Sequence, residues 1–359
     1  MLLLVALAAI SAGKADAGEE KRLFVYNWTD FIGRNTIAEF EGESGIKVTY
    51  DVYDSEETMD ARLLAGSSGY DVVIASTEYF GREIKAGVYI PLDKTKLPNW
   101  KNLDPRILAI QTVHDPGNAH SVPYLHAIAG FAYNVNMVKA RMPNAPVDSL
   151  DMIFKPQIIA RFADCGVSFL DQAEDVLQLA LNYLRLDPNS TNPEDYKRAE
   201  KLLLAVRPYI RAFDSSEYMN GLGNKEFCIS MSWSGDYAAA KARATAAGVD
   251  VNLAFTVPKE GANASFDALL IPVDAPHPDA AHQFLNFILE PRVIAEITNE
   301  THYGNDNLAS TPYVDPKILN DPAIYPTPET AARLYESAEV NPALERIRTR
   351  TWTRIKTAR

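Results

Sequence analysis

Cysteine is almost missing from this 359-residue sequence, which has only Cys165 and Cys228. Two thiols form no zinc cluster. The six histidines contain neither H-E-x-x-H nor an i, i+4 pair, so a metal centre has no support and neither metal nor cofactor is expected. Past the extreme N-terminus no stretch approaches about eighteen unbroken apolar residues, which excludes a later membrane-spanning helix. Positive charge is scarce: 35 Lys and Arg face 47 Asp and Glu, a formal net charge of −12. That balance opposes a phosphate-neutralising surface, argues against nucleic acid as a partner, and favours cationic ligands. There is no P-loop and no G-x-S-x-G, and Gly221-Leu222-Gly223 lacks both the third glycine and the preceding strand of a dinucleotide turn. What is present, 47% hydrophobic and 23% charged residues with 18 Gly and 22 Pro, describes a folded protein long enough for two ordinary domains.

Residues 2–10 form an apolar run too short to cross a bilayer, and Ala15-Asp16-Ala17 follows it as a small-x-small cleavage pattern, so 1–17 reads as a secretion signal, although it lacks the usual leading basic residues. No cysteine stands at the cleavage point, so the mature chain is expected to be soluble in the periplasm rather than lipid-anchored. Export permits a disulfide, and Cys165 and Cys228 are expected to pair; the alternative is two buried thiols.

Apolar patterning gives strands at 23–28, 47–52 and 70–75 alternating with helices, the last two at 57–65 and 79–86. This alternation reads as an α/β fold with a helix-covered parallel sheet. Ligands of such sheets sit beyond the carboxyl ends of the strands, where Trp28-Thr29-Asp30 and Ser76-Thr77-Glu78 both fall. A second α/β stretch follows, with strands at 131–134, 166–170, 227–233, 251–257 and 268–272 and helices at 175–186, 196–206, 238–247 and 278–289. With no Gly/Ser linker between the stretches, the chain is expected to cross between two lobes that close on a hinged cleft. Lobe 1 is read as 18–127 plus 251–305, and lobe 2 as 128–250 plus 306–359.

Tyr26-Asn27-Trp28-Thr29-Asp30-Phe31, Gly45-Ile46-Lys47-Val48, Leu92-Asp93-Lys94, Leu97-Pro98 and Cys165-Gly166-Val167-Ser168-Phe169-Leu170-Asp171 together resemble a bacterial periplasmic putrescine/spermidine-binding protein. Trp233-Ser234-Gly235-Asp236, Ile271-Pro272, Thr311-Pro312 and 348–353 continue the match along the mature chain. The resemblance implies a two-lobed periplasmic binding protein, a monomer that performs no chemistry and delivers a polyamine to the permease of an ABC importer. It also implies roles: Trp28 and Trp233 as facing aromatic walls, Thr29 and Ser76 as hydroxyls, Asp30 as a carboxylate at one amine end, Asp236 as a carboxylate near the chain of the ligand, Asp267 as the principal ammonium anchor, Tyr303 as a rim aromatic, and Asp175 where similar proteins place a Glu.

The residue types suit that chemistry independently. An alkyl diamine carries an ammonium at each end, so its pocket needs carboxylates at the ends and flat apolar walls between them. An ammonium–carboxylate contact at ~4 Å has a gross Coulomb term of about 4 kcal/mol at an effective dielectric near 20, less desolvation. Cation–π contact adds roughly 0.5 to 2 kcal/mol. The bland readings are core tryptophans, helix caps for Asp30 and Asp175, a turn residue for Asp236 and a buried ion pair for Asp267.

Three positions depart from the resemblance. Ser265 stands where a second aromatic wall is usual, and strand alternation turns Phe266 away from it. Glu78 replaces a small polar or aromatic residue; either it points to solvent or it supplies an extra carboxylate suited to a longer polyamine or a guanidinium-bearing amine such as agmatine. His126 replaces a Trp near the hinge, as a pH-sensitive group or a structural histidine. The rival functions are a binding protein for a sugar or amino acid, since the fold is shared among ligand classes, and a secreted carboxylate-pair hydrolase.

Overall fold

A computed structural model describes residues 21–339 and 341–358; the expected signal at 1–17 lies outside them. The strands described are β1 (Arg22–Trp28), β2 (Lys47–Tyr53), β3 (Val72–Ser76), β4 (Ser121–Asn134), β5 (Val167–Phe169), β6 (Ala212–Phe213), β7 (Ile229–Trp233), β8 (Leu253–Thr256), β9 (Ala262–Leu270), β10 (Gly304–Asn305) and β11 (Leu334–Tyr335). β1, β2 and β3 pair in parallel, separated in the chain by the helices Thr36–Ser44 and Glu56–Leu64, and the helix Thr77–Lys85 follows. Ser55 starts the second of these helices by accepting the Thr58 N–H on its hydroxyl.

The sheet is mixed rather than parallel. Its order is β2-β1-β3-β9-β4-β7-β5-β6, and β9 lies antiparallel to both β3 and β4. A parallel neighbour needs a crossover connection, whereas β9 returns from the second lobe against the direction in which β4 entered it. These two strands join the lobes. Val122 and Leu125 of β4 and Leu269 of β9 belong to a core with Leu23, Val25, Phe40 and Phe284. Phe131 and Ala132 of β4, with Ala262 and Ala264 of β9, belong to a core with Phe154, Leu177, Tyr196 and Leu222. At the crossing Gly130 is required: a Cβ there would overlap the Thr256 carbonyl oxygen and the Phe255 ring.

Only 131–134 of the fourteen-residue β4 is read as strand from the sequence. The remainder is buried almost throughout, so it lacks alternation, and it carries Pro123 and a register shift between Pro123 and His126. β8 pairs with β4 from Phe131 to Asn134, and Leu253, Ala262 and Ala264 pack in the same core as Phe131 and Phe154. Val314, Ile318 and Ile324 form a separate small cluster with Ala295.

Cys165 and Cys228 form the disulfide, with Cα atoms 5.5 Å apart, just ahead of the parallel neighbours β5 and β7. The chain-entropy model for a loop closed over 63 residues gives a stabilisation of about 4 kcal/mol. Urea unfolding with and without reductant, or of the double Cys→Ala variant, is expected to show a loss approaching that size; an unchanged midpoint would contradict it.

Candidate ligand-binding site

β1, β3 and β7 end at Trp28, Ser76 and Trp233, and these three residues face one cavity between the lobes. Thr29, Asp30, Glu78, Asp175, Asp236, Ser265, Asp267 and Tyr303 line the same cavity. All eleven residues singled out in the sequence are therefore brought together, several of them from positions more than 200 residues apart.

Two tryptophans hold two carboxylates in matching fashion, one in each lobe. The Trp28 indole N–H donates to Asp267 Oδ1 at 3.1 Å, and the ring packs on Tyr53 with centroids 4.5 Å apart. Asp267 reaches the cleft because β9 pairs it with Ser76, placing it level with the end of β3. Across the cleft, the Trp233 indole N–H donates to Asp175 Oδ2 at 3.0 Å, and Asn263 Nδ2 donates to Oδ1 at 3.2 Å. Asp236 lies in the first turn of the helix Ser234–Ala246 and accepts from the hydroxyls of Tyr303 at 2.5 Å and Tyr218 at 2.6 Å. Gly235 permits this, since a Cβ there would stand 2.5 Å from the Tyr303 ring.

The electrostatics follow from burial, which His126 near Asp267, Arg348 near Asp175 and Arg243 near Asp236 offset only in part. Burial lifts Asp267 to about 7 against the Trp28 hydrogen bond, with repulsion from Glu78 and Asp306 adding to the rise. Burial lifts Asp175 to about 6 against its Asn263 bond, again with Glu78 adding to it. Burial also raises Asp236, against the two tyrosine hydroxyls.

Several expected roles change. Asp30 takes a left-handed backbone conformation (φ 58°), and its Oδ2 pairs with Arg243 Nη2 at 2.8 Å at the half-exposed cleft mouth. It caps no helix, since the next one starts at Thr36. Tyr303 is buried rather than on the rim. Ser76 N–H and Oγ both donate to Glu56, at 2.8 Å each, and Thr29 Oγ1 donates to Asp54 at 2.8 Å, so both hydroxyls are committed to protein acids. His126 faces away from the cleft with Ile128, Ala264 and Phe266; Ala127, Ser265 and Asp267 face into it. Its Nδ1 lies 2.8 Å from Asp306 Oδ1. Burial opposes its charge, but the Asp306 carboxylate, the Ile324 carbonyl and the charge of Asp267 together raise its pKa.

Sequence reasoning missed Glu56, Glu174, Asn263, Tyr218, Arg243 and Arg348. Glu56 lies at a helix start beside Ser55, and Glu174 in the first turn of the helix Ala173–Tyr183, so both read as ordinary N-terminal acids. Burial and the charges of Glu78 and Asp267 push the Glu56 carboxyl upward, against its bonds from Ser76. Glu174 forms a buried pair with Arg348 at 2.6 Å. Among the described residues no group of three or more His, Cys, Asp or Glu is arranged to hold a metal ion.

The chain matches the family described as bacterial extracellular solute-binding protein over residues 35–327. It is 47% identical to the putrescine-binding periplasmic protein of Escherichia coli (strain K12), over 100% of this chain and 97% of that protein. It is 46% identical to the putrescine-binding periplasmic protein of Pseudomonas aeruginosa (strain UCBPP-PA14), over 100% and 98%. Among solved structures, a putative spermidine/putrescine ABC transporter from Listeria monocytogenes superposes with a TM-score of 0.85 at 28% identity, covering 94% of this chain and 100% of that one. The two-lobed sheet, the interlobe cavity and these similarities agree: the chain belongs to the bacterial extracellular solute-binding proteins.

Proposed function

We propose that this protein captures a polyamine in the periplasm and presents it, unaltered, to the permease of an ABC importer. The observation that carries the reading is the set of buried carboxylates, Asp267, Asp175, Asp236 and Glu78, lining an indole-walled cleft without any arginine or lysine paired to them among the described residues. Neutral donors satisfy some of their lone pairs, but only a cationic ligand offsets the charge. An ammonium at Asp267 against Trp28 and another at Asp175 against Trp233 would put the intervening methylenes along the two indoles. The names of the relatives support the same ligand class, periplasmic location and transport role. A monomer acting alone is part of the proposal, as is each ligand contact.

Calorimetry across putrescine, cadaverine, agmatine, spermidine and spermine tests the class: saturable one-to-one binding supports it, and tight binding of a neutral sugar or of an amino acid defeats it. Asp267→Asn is expected to weaken every amine by about tenfold to a hundredfold. The same substitution should raise the melting temperature of the unliganded protein, because it removes a buried charge that only the ligand neutralises. A variant that binds normally, or that is simply less stable, contradicts the assignment of Asp267.

Acidity gives a second test. A cationic ligand requires deprotonated carboxylates, while unliganded Asp267 and Asp175 hold protons up to about 7 and about 6. Affinity should therefore be greatest above pH 7 and fall on acidification, by at least about a hundredfold from pH 8 to pH 5. Stability of the unliganded protein runs the other way. The folded pKa values lie above the unfolded value of about 4, so the contribution of these groups is complete below pH 4 and is lost as pH rises through 6 and 7. Proton release on binding, read by calorimetry in buffers of different ionisation enthalpy, and melting curves from pH 4 to pH 8 check both signs.

A further inference from the structure

Glu78 is the one carboxylate lining the cleft that has neither a hydrogen-bond donor nor a counter-cation among the described residues. Asp30 has Arg243, Glu174 has Arg348, Glu56 has Ser76, Asp54 has Thr29, and Asp175, Asp236 and Asp267 have their indole, amide or phenol donors. Glu78 is nonetheless only 4% exposed. Its position in the first turn of the helix Thr77–Lys85 would favour an acid there through the helix dipole, but no side-chain capping bond forms at that end, and the residue lines the cavity. Its charge is felt at both ends of the slot, by Asp267 held by Trp28 and by Asp175 held by Trp233, as well as by Glu56 and Glu174.

A dication with its ends at Asp267 and Asp175 would leave Glu78, in the same cavity, buried and without a partner. Resting on the polyamine reading above, we propose that Glu78 determines specificity by taking the internal ammonium of a linear triamine whose terminal ammoniums go to Asp267 and Asp175, so that a trication is preferred to a diamine. Ser265 fits this role. It lines the cavity two residues from Asp267 on the same strand face, and its small side chain leaves width that an aromatic residue would fill. The preference comes from charge count: the third ammonium removes the last uncompensated charge, and its N–H donors find the one carboxylate still lacking any.

The test is calorimetry at pH 8 with putrescine, spermidine and agmatine on the wild-type protein, Glu78→Gln, Glu78→Ser and Asp267→Asn, with melting curves to confirm folding. The wild type is expected to bind spermidine at least about tenfold more tightly than putrescine. Both Glu78 variants should lose about tenfold to a hundredfold for spermidine and less than about threefold for putrescine, abolishing the preference. Equal losses for all three amines, a loss confined to agmatine, or a wild type that prefers putrescine would overturn the assignment. If Asp267→Asn weakens every amine while Glu78→Gln and Glu78→Ser change nothing, the polyamine reading stands and this inference falls. If the folded wild type binds none of the three, the polyamine reading itself falls.

Discussion

The cleft buries negative charge and leaves it uncompensated. Several buried acids elsewhere in the chain have a basic partner, although among the described residues the fully buried Glu83 accepts only from the Tyr89 hydroxyl. Asp71, fully buried, pairs with His277, Asp115 with His120, Asp306 with His126, and Glu174 with Arg348. Burying a lone carboxylate is costly enough that the group normally acquires a partner or a proton. To Asp267, Asp175 and Asp236 the protein supplies only neutral hydrogen-bond donors: two indoles, two phenols and an amide. They fix where the carboxylates point without cancelling them, so the site is ordered and still attractive to cations. The raised pKa values of Asp267 and Asp175 record the same imbalance.

That imbalance is carried by the strands that join the lobes. Asp267 sits on β9, which pairs with β3 of the first lobe and with β4, while Ala262 and Ala264 of the same strand pack in the second lobe's core. A ligand bound at Asp267 is therefore bound to the connecting element itself. Two further contacts bridge the lobes at the cleft: Tyr303, packed in the first core, donates to Asp236 of the second-lobe helix, and Arg243 of that helix pairs with Asp30. The first is buried and uses a neutral donor, whereas the second is half-exposed at the mouth. Solvent therefore screens the charge pair at the mouth, and the phenol contact holds in the interior.

The two-lobed α/β architecture and the position of the site were legible because strand ends are legible. Trp28 and Ser76 close β-rich runs, and both line the interlobe cavity at the carboxyl ends of their strands, where the rule for such sheets puts a ligand. Asp267 stood out as an acid between apolar neighbours. The mixed sheet was not legible, because antiparallel insertion of β9 depends on the return path of the chain and leaves no mark on local pattern. Most of β4 was hidden for a related reason: a strand buried on both faces loses its alternation. Which acids stay free was equally invisible. Asp30 and Asp236 look alike in sequence, yet one meets Arg243, 213 residues away, and the other two tyrosines. Glu56 and Glu174 looked like helix-start acids because they are that as well.

The hydrogen-bond inventory of the cleft restricts its occupant more sharply than its charge does. Many protein donors there are already spent on protein acids: the Trp28 and Trp233 indoles, the Asn263 amide, the Tyr218 and Tyr303 phenols, and the Ser76 and Thr29 hydroxyls; the Gln172 amide and the Ser215, Ser216 and Ser265 hydroxyls line the same cavity without such a bond. What remains for a ligand is an excess of acceptors. A sugar hydroxyl must both donate and accept, and its acceptor half would find few donors. An amino acid would bring its carboxylate among carboxylates, with Arg243 and Arg348 engaged. An ammonium donates three hydrogen bonds and accepts none, and a methylene chain asks for nothing polar. A donor-only molecule with an apolar body is thus the best complement of this excess of acceptors, a preference that comes from chemistry rather than from size.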